Sequence, residues 1–185
     1  MKFAVSGLVL ASILLSGCAA SVQKSSTHAT VIGIPAASTK QIVLNVTGKP
    51  ELLESADWEQ FKGEWRAAMK AAAASIGAKF SSQDSKPQPT GEVGTLVVVN
   101  INDYRYVSPG ARYGLGVLTG NAYMDAKVQF NDLETGSSFG ERAYNSSSTA
   151  WQGVFSAMTE KQVQAMCLEI VNEIKAGPKL AQVAP

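Results

Sequence analysis

Few residues of this 185-residue chain have the chemistry of a nucleophile or of a metal ligand. The cysteines are Cys18 and Cys167, and the single histidine is His28. A nucleophilic cysteine needs a neighbouring base and an exposed, electropositive setting. Cys167 lies in an apolar helical stripe and no histidine follows His28, so we interpret Cys167 as a core residue. Because carboxylates do not cluster at ligand spacing either, we expect no enzyme activity, no catalytic residue, no metal and no cofactor.

The first eighteen residues indicate a secretory signal that ends at an acylation site. Met1-Lys2 precedes the uncharged apolar run from Phe3 to Leu15, which is shorter than the roughly 20 residues that a membrane-spanning helix needs. The sequence Leu15-Ser16-Gly17-Cys18 resembles the bacterial lipobox. Small residues let an extended backbone enter a peptidase cleft, and the thiol accepts a diacylglycerol group. We therefore predict a signal peptide over 1–17 and lipidation of Cys18, which anchors the chain to a membrane.

Composition excludes one class of partner. Removal of residues 1–17 takes away Lys2, so the 16 basic residues become 15 and balance the 15 acidic ones. A neutral chain gives no electrostatic reason to expect nucleic acid as a partner. With Cys18 acylated, Cys167 has no partner within the chain, and we expect no disulfide.

The chain divides into four segments. The signal peptide 1–17 is followed by Cys18 and a flexible linker, together 18–38, which is rich in Ser, Thr and Ala. We predict a globular domain over 39–177 and a C-terminal tail over 178–185.

The first half of the domain predicts a strand, a helix and a second strand. Ile42–Val46 is β-rich. Asp57 and Gln60 have the spacing of a capping box, and apolar residues follow at helical spacing up to Gly77. Residues 81–94 are interpreted as a loop because they contain two prolines. A strand is predicted over 96–106, its first half buried on both faces.

The second half predicts a hairpin and a last helix. Apolar residues alternate with polar ones from Ala122 to Phe130, Asp132–Gly136 supplies a turn, and Phe139–Ser147 returns as the partner strand. Thr159 and Gln162 have capping-box spacing before an apolar stripe, and Gly177-Pro178 is expected to end the helix. The fold class is α+β, a two-layer sandwich. We expect a roughly four-stranded mixed sheet in the order strand–helix–strand–strand–strand–helix, with both helices on one face.

Aromatic and basic residues cluster around the Pro-Gly turn at 109–110. Tyrosine and arginine often anchor protein interfaces, because they bring a large area and directional donors. A strand end that shows one polar face would explain the same pattern, and both interpretations stay open. The candidate interaction surface consists of Tyr104, Arg105, Tyr106, Arg112 and Tyr113.

The motifs together resemble those of small Gram-negative lipoproteins that carry a domain of unknown function. They are the lipobox, the strand–helix start, the Arg112…Gly114-x-Gly116 loop, the Asp132-x-x-Thr135-Gly136 turn and the last amphipathic helix, over roughly residues 40–176. No established activity comes with the resemblance. In such lipoproteins an Asp directly after the acylated Cys retains the protein in the inner membrane. Because Ala19 stands there, the resemblance implies the periplasmic face of the outer membrane in a Gram-negative host.

Three functions are compatible with these features. The first is a non-enzymatic, lipid-anchored protein that binds another envelope component through loops or an exposed sheet face. We expect that component to be an envelope protein. The second is a periplasmic carrier of lipids or small molecules, with a groove between helices and sheet. The third is an envelope hydrolase that uses carboxylates or serines, since any two acids can meet in space.

Overall fold

The structure is a computed structural model that describes residues 22–24, 32–105, 122–147 and 158–181. Six strands form one open mixed sheet in these residues, and three α-helices accompany it. A single 3₁₀ turn, Ala37–Lys40, precedes the second strand. The strands are β1 (Val22–Lys24), β2 (Gln41–Gly48), β3 (Lys79–Gln83), β4 (Thr95–Arg105), β5 (Tyr123–Asp132) and β6 (Ser138–Ser147). The helices are α1 (Pro50–Leu53), α2 (Trp58–Ser75) and α3 (Met158–Ala181).

The sheet has the strand order β1-β6-β5-β4-β2-β3. Strand β2 is parallel to both of its neighbours, β3 and β4, whereas the remaining pairs are antiparallel. Parallel neighbours need crossover connections. Helix α2 provides the first, from β2 to β3, and residues 84–94 lead from β3 to the start of β4. The carboxyl ends of β2, β3 and β4 therefore lie at one edge of the sheet.

Helices α2 and α3 cover one face of this sheet. Their buried side chains share one core cluster with alternate residues of β2, β4 and β5. A smaller cluster occupies the opposite face and consists of Val43, Leu96, Val98 and Leu133. The α+β class, the mixed sheet and the position of the two long helices agree with the sequence prediction.

The hairpin of β5 and β6 confirms the clearest sequence pattern. Every second residue from Ala122 to Phe130 is at most 1% exposed, as the alternation predicts. At the turn, the amide of Gly136 donates to the carbonyl of Asp132 over 2.8 Å, and Gly136 has a φ of 80°. That left-handed conformation is accessible to glycine without strain.

The prediction of a roughly four-stranded sheet with two helices is compatible with the structure but less detailed, because it does not include β1, β3 and the one-turn helix α1. Both strands are short, polar and placed at the two edges of the sheet. Edge strands are held by backbone hydrogen bonds on one side and need no apolar alternation. Strand β3 lies partly in the predicted loop 81–94, and β1 in the predicted linker.

The predicted boundaries at both ends of the domain also differ from the structure. Within the linker 18–38, Ile32 and Ile34 are fully buried, so the fold begins earlier than residue 39. Helix α3 continues through Gly177 and Pro178 to Ala181, although a helix stop was expected there. Gly177 is buried because its backbone lies directly against Ile34.

Neither predicted capping box takes the expected form. Asp57 precedes α2, but its side chain makes no capping hydrogen bond. Thr159 lies inside α3, which starts at Met158, and the Gln162 amide donates to the carbonyl of Ala122 over 3.1 Å. The side chains of Asp57 and Gln162 thus serve tertiary contacts. None of the helices in the described residues is long and apolar enough to cross a membrane.

Candidate functional site

Tyr104, predicted as part of an exposed interaction surface, is instead a core residue. It is 8% exposed, and its ring stacks on that of Phe61 with centroids 4.3 Å apart and planes inclined by 4°. Its hydroxyl donates to Oδ1 of Asp57 over 2.7 Å and lies 2.8 Å from Oγ of Ser55. A residue this near the end of β4 was expected to point outward, but the aromatic side chains of α2 cover it.

The Ser55–Asp57–Tyr104 cluster holds a protonated phenol. Burial raises the pKa of Tyr104 to about 12, and the negative charge of Asp57 acts in the same direction. The phenol therefore stays protonated at neutral pH and cannot serve as a base. The Ser55 hydroxyl also lies 2.8 Å from the carbonyl of Leu52, to which it can donate. These bonds fasten the α1–α2 connection to β4.

Of the other predicted surface residues, the structure describes Arg105. Arg105 is exposed on β4 opposite Tyr123 of β5. Tyr123 is 39% exposed, and its hydroxyl donates to Oδ2 of Asp103 over 3.2 Å. The remaining three members of the candidate surface, Tyr106, Arg112 and Tyr113, lie outside the described residues.

Cys167 is buried in the core, as the sequence predicts. Burial strongly raises the pKa of its thiol, which leaves it protonated and unreactive. Across the described ranges, no three residues among His, Cys, Asp and Glu are arranged to hold a metal ion. Cys18 and His28 lie outside the described residues.

A groove of about 410 Å³ runs between α2 and α3 on the side away from the sheet. Its floor on α2 is formed by alanines, whose small side chains leave room between the two helices. On α3, Leu168 is 51% exposed at the groove. Glu64 of α2 and Glu160 of α3 add carboxylates to the lining. The lining consists of Glu64, Ala67, Ala68, Ala71, Ala72, Glu160, Gln164 and Leu168.

A second concave surface, of about 480 Å³, lies at the carboxyl ends of β2 and β3. We call it the strand-end cleft. Its walls come from the last residues of β2, the start of α2 and the segment after β3. The lining consists of Asn45, Val46, Thr47, Leu53, Trp58, Glu59, Lys62, Asp84, Ser85, Lys86 and Pro87.

Asn45 is the least exposed polar residue of the strand-end cleft, at 1%. Its Nδ2 donates to the carbonyls of Gln83 over 2.8 Å and of Ser85 over 2.7 Å. These two bonds fix which end of the amide carries the oxygen, because a flipped amide would place Oδ1 against two carbonyl oxygens. Oδ1 is buried and accepts no hydrogen bond within the described part of the chain. A buried acceptor without a partner costs about 1–3 kcal/mol, so its retention needs an explanation.

Sequence reasoning did not find either concave surface. The signal for the strand-end cleft is Asn45 itself, an amide in the otherwise apolar run Ile42–Val46. The signal for the groove is Leu168, which belongs to α3 but lies off its buried stripe.

Comparison with known proteins gives no family for this chain. No family model and no curated protein matches it. Among solved structures it is similar to the PelC dodecamer from Paraburkholderia phytofirmans, with 12% identity, 84% of this chain and 96% of that chain covered, and a TM-score of 0.44. A DUF330 protein from Xanthomonas campestris shares 10% identity over 83% of this chain and 96% of its own, with a TM-score of 0.46. A putative neuraminyllactose-binding hemagglutinin homolog from Helicobacter pylori shares 11% identity over 84% of this chain and 96% of its own, with a TM-score of 0.38.

Proposed function

We propose that this chain is a lipid-anchored, non-enzymatic protein of the cell envelope that binds another envelope protein through the α2–α3 groove. The observation that carries the proposal is Leu168, which is 51% exposed beside a groove of about 410 Å³. Contiguous exposed apolar surface marks interaction sites, and Leu168 adjoins the alanines of α2 in this groove. The anchor rests on the signal sequence and on Cys18.

The groove has the shape and chemistry that suit an apolar helix. Alanines of α2 allow a partner backbone to come close, and Leu168 supplies a large apolar contact. Recognition of an amphipathic helix in a groove uses this combination. Because Glu160 contributes an exposed carboxylate to the lining, we propose a partner segment that is apolar and carries a lysine or arginine.

A carrier function receives less support from the packing. A carrier would need a groove between the helices and the sheet, but side chains fill that interface. Side chains from both layers there are fully buried, among them Trp65 and Met69 of α2 and Val97, Val99 and Phe130 of the sheet. A ligand of appreciable size would have to displace core side chains, which are closely packed in proteins.

A non-enzymatic role is supported by the state of the reactive groups. Cys167 is buried with a raised pKa, and Tyr104 is fixed between Ser55 and Asp57. Neither residue meets the requirements of a nucleophile or a general base. For the location, the resemblance of the lipobox and the residue Ala19 support the periplasmic face of the outer membrane.

Labelling with a palmitate analogue tests the anchor. We expect the wild-type chain to incorporate the label and Cys18→Ser to lose it completely. Cys167→Ser is the matched control, because it removes the other thiol and should keep the label. Unlabelled wild-type chain, or label that survives Cys18→Ser, would rule out the anchor.

Quantitative affinity capture from solubilised membranes tests the groove. Leu168→Glu places a charge in the apolar contact and should reduce the recovered partner by about tenfold or more, because an interface anchor is lost. Val93→Glu is the matched control, since Val93 is also 51% exposed but lies before β4, outside the groove. An identical set of proteins with wild type and Leu168→Glu would contradict the proposal.

A further inference from the structure

We propose that the lipid anchor holds one end of the sheet against the phospholipid headgroups of the membrane. The inference rests on the proposed acylation of Cys18 and adds the face of the domain that meets the bilayer. Three features carry it: the length of the tether, the direction in which the chain enters β1, and the exposed side chains at that end of the sheet.

The tether between the acylated residue and the fold is short. Cys18 precedes Val22, the first residue of β1, by four positions in the sequence. Because an extended chain spans at most about 3.6 Å per residue, the Cα atoms of these two residues are no more than about 14 Å apart. Strand β1 is joined to the domain by its pairing with β6 and by Lys24, whose Nζ lies 2.6 Å from Oε2 of Glu169 and 3.0 Å from Oε1 of Glu173. The anchor is therefore held close to this edge of the sheet.

The direction of β1 brings the tether to one end of the sheet. Strand β1 runs antiparallel to β6, and Val22 pairs with Ser146 next to the last residue of β6. The chain before Val22 therefore enters at the end where β6 stops. The register continues this row from Ser146 to Met124 of β5 and from there to Tyr104 of β4. The end of β6, the start of β5 and the end of β4 thus lie together, and we call this the anchor-side end.

The opposite end of the sheet is far from the tether. Strand β4 has 11 residues, and a strand rises about 3.3 Å per residue, so the start of β4 lies roughly 30 Å beyond the anchor-side end. Val93, just before β4, belongs to this far end. A tether of at most about 14 Å does not allow the far end to face the bilayer while the anchor-side end points away from it.

Two large exposed side chains at the anchor-side end suit a headgroup layer. Tyr123, the first residue of β5, is 39% exposed, and Leu53 of α1 is 45% exposed. Helix α1 follows the carboxyl end of β2 and is held near the end of β4, because Oγ of Ser55 lies 2.8 Å from the hydroxyl of Tyr104. Tyrosine is enriched at membrane–water interfaces, and leucine is typical of the side chains with which interfacial proteins enter them.

The charges of the anchor-side end do not select anionic lipids. Exposed basic and acidic side chains occur together among the described residues of this end, which include Arg105, Lys49, Asp103, Glu51 and Glu54. Attraction to anionic lipids needs a cluster of basic residues. The tether is therefore the main cause of the contact, and we expect the same orientation on a bilayer of zwitterionic phosphatidylcholine.

Fluorescence quenching by a nitroxide on the lipid headgroup tests the orientation. Leu53→Cys, Tyr123→Cys and Val93→Cys each carry an environment-sensitive fluorophore in the full lipidated chain, in a Cys167→Ser background, in phosphatidylcholine vesicles. We expect at least about twofold stronger quenching at positions 53 and 123 than at position 93, because the far end lies roughly 30 Å further away. Val93 is the matched control, since it is 51% exposed in the wild-type chain.

A longer tether tests whether the anchor causes the contact. Insertion of about 12 Gly and Ser residues between Ala20 and Ser21 raises the maximum reach to roughly 55 Å and should reduce quenching at positions 53 and 123 at least about twofold. Flotation with the vesicles tests the anchor separately, and Cys18→Ser should not float. A wild-type chain that does not float would overturn the anchor and, with it, this inference. In a chain that floats, equal quenching at the three positions, or quenching that the longer tether leaves unchanged, would overturn the inference alone.

Discussion

The hydroxyl of Tyr104 lies 2.7 Å from Oδ1 of Asp57 and thereby ties the end of β4 to the start of α2. The ring of the same residue stacks on Phe61, so one side chain supplies both an apolar and a polar contact to the helical layer. Trp58, the first residue of α2, also lines the strand-end cleft, and its ring centroid is 6.1 Å from that of Tyr104. This contact therefore supports the wall of the cleft.

Removal of the Tyr104 hydroxyl should destabilise the fold. Tyr104→Phe keeps the stacked ring but deletes the bonds to Asp57 and Ser55, and we expect a loss of about 1–2 kcal/mol in the free energy of unfolding. Urea denaturation measures it. Tyr123→Phe removes an exposed hydroxyl and should cost less than about 0.5 kcal/mol. Equal losses for the two variants would show that the buried hydroxyl has no special role.

Alkaline pH should weaken the fold through the same residue. The pKa of Tyr104 is raised from 10.0 to about 12, so the folded state favours the protonated phenol. The resulting stability is complete below pH 10 and is lost as the pH rises towards 12. Unfolding free energies at several pH values in this window should fall. They should fall less steeply for Tyr104→Phe, while Tyr144, whose pKa burial also raises, maintains part of the slope.

Two helical glycines should respond to alanine in opposite directions. At Gly177, a Cβ would lie 2.7 Å from Cβ of Ile34 and 2.9 Å from its amide nitrogen, so Gly177→Ala forces a shift and should cost about 1–3 kcal/mol. At Gly63 in α2, a Cβ meets nothing within 4 Å. Gly63→Ala should therefore stabilise by about 0.5–1 kcal/mol through helix propensity. Thermal unfolding compares the two, and a stabilised Gly177→Ala would mean that residues 32–34 do not pack on α3.

Sequence reasoning predicted those parts of the fold whose pattern is set by burial on one face. The alternation of β5 and the apolar stripe of α3 each identify the buried face directly. Edge strands β1 and β3 carry no such pattern, because their pairing depends on backbone atoms that every residue has. The end of α3 was misplaced for a related reason. Gly177 is required by contact with Ile34, a residue far away in the sequence, and not by a helix stop.

The candidate sites were less predictable than the fold. Tyr104 was assigned to an exposed surface from its residue type and its place near a strand end, and only the tertiary packing of α2 shows that it is buried. The concave surfaces at Asn45 and Leu168 are formed by pairs of elements that meet in space, β2 with β3 and α2 with α3. A single sequence does not state which elements meet. The lipobox, in contrast, is a contiguous signal, which is why the anchor was predicted from the sequence alone.

Site-specific photo-crosslinking in intact cells tests most directly whether the α2–α3 groove binds an envelope protein. With the photoreactive residue at position 168, we predict one discrete adduct, which Ala71→Glu should reduce several-fold because it fills the alanine floor of the groove. The same residue at position 93, equally exposed in the wild-type chain, should not give that adduct. No adduct from position 168, or the same adducts from both positions, would contradict the proposed function.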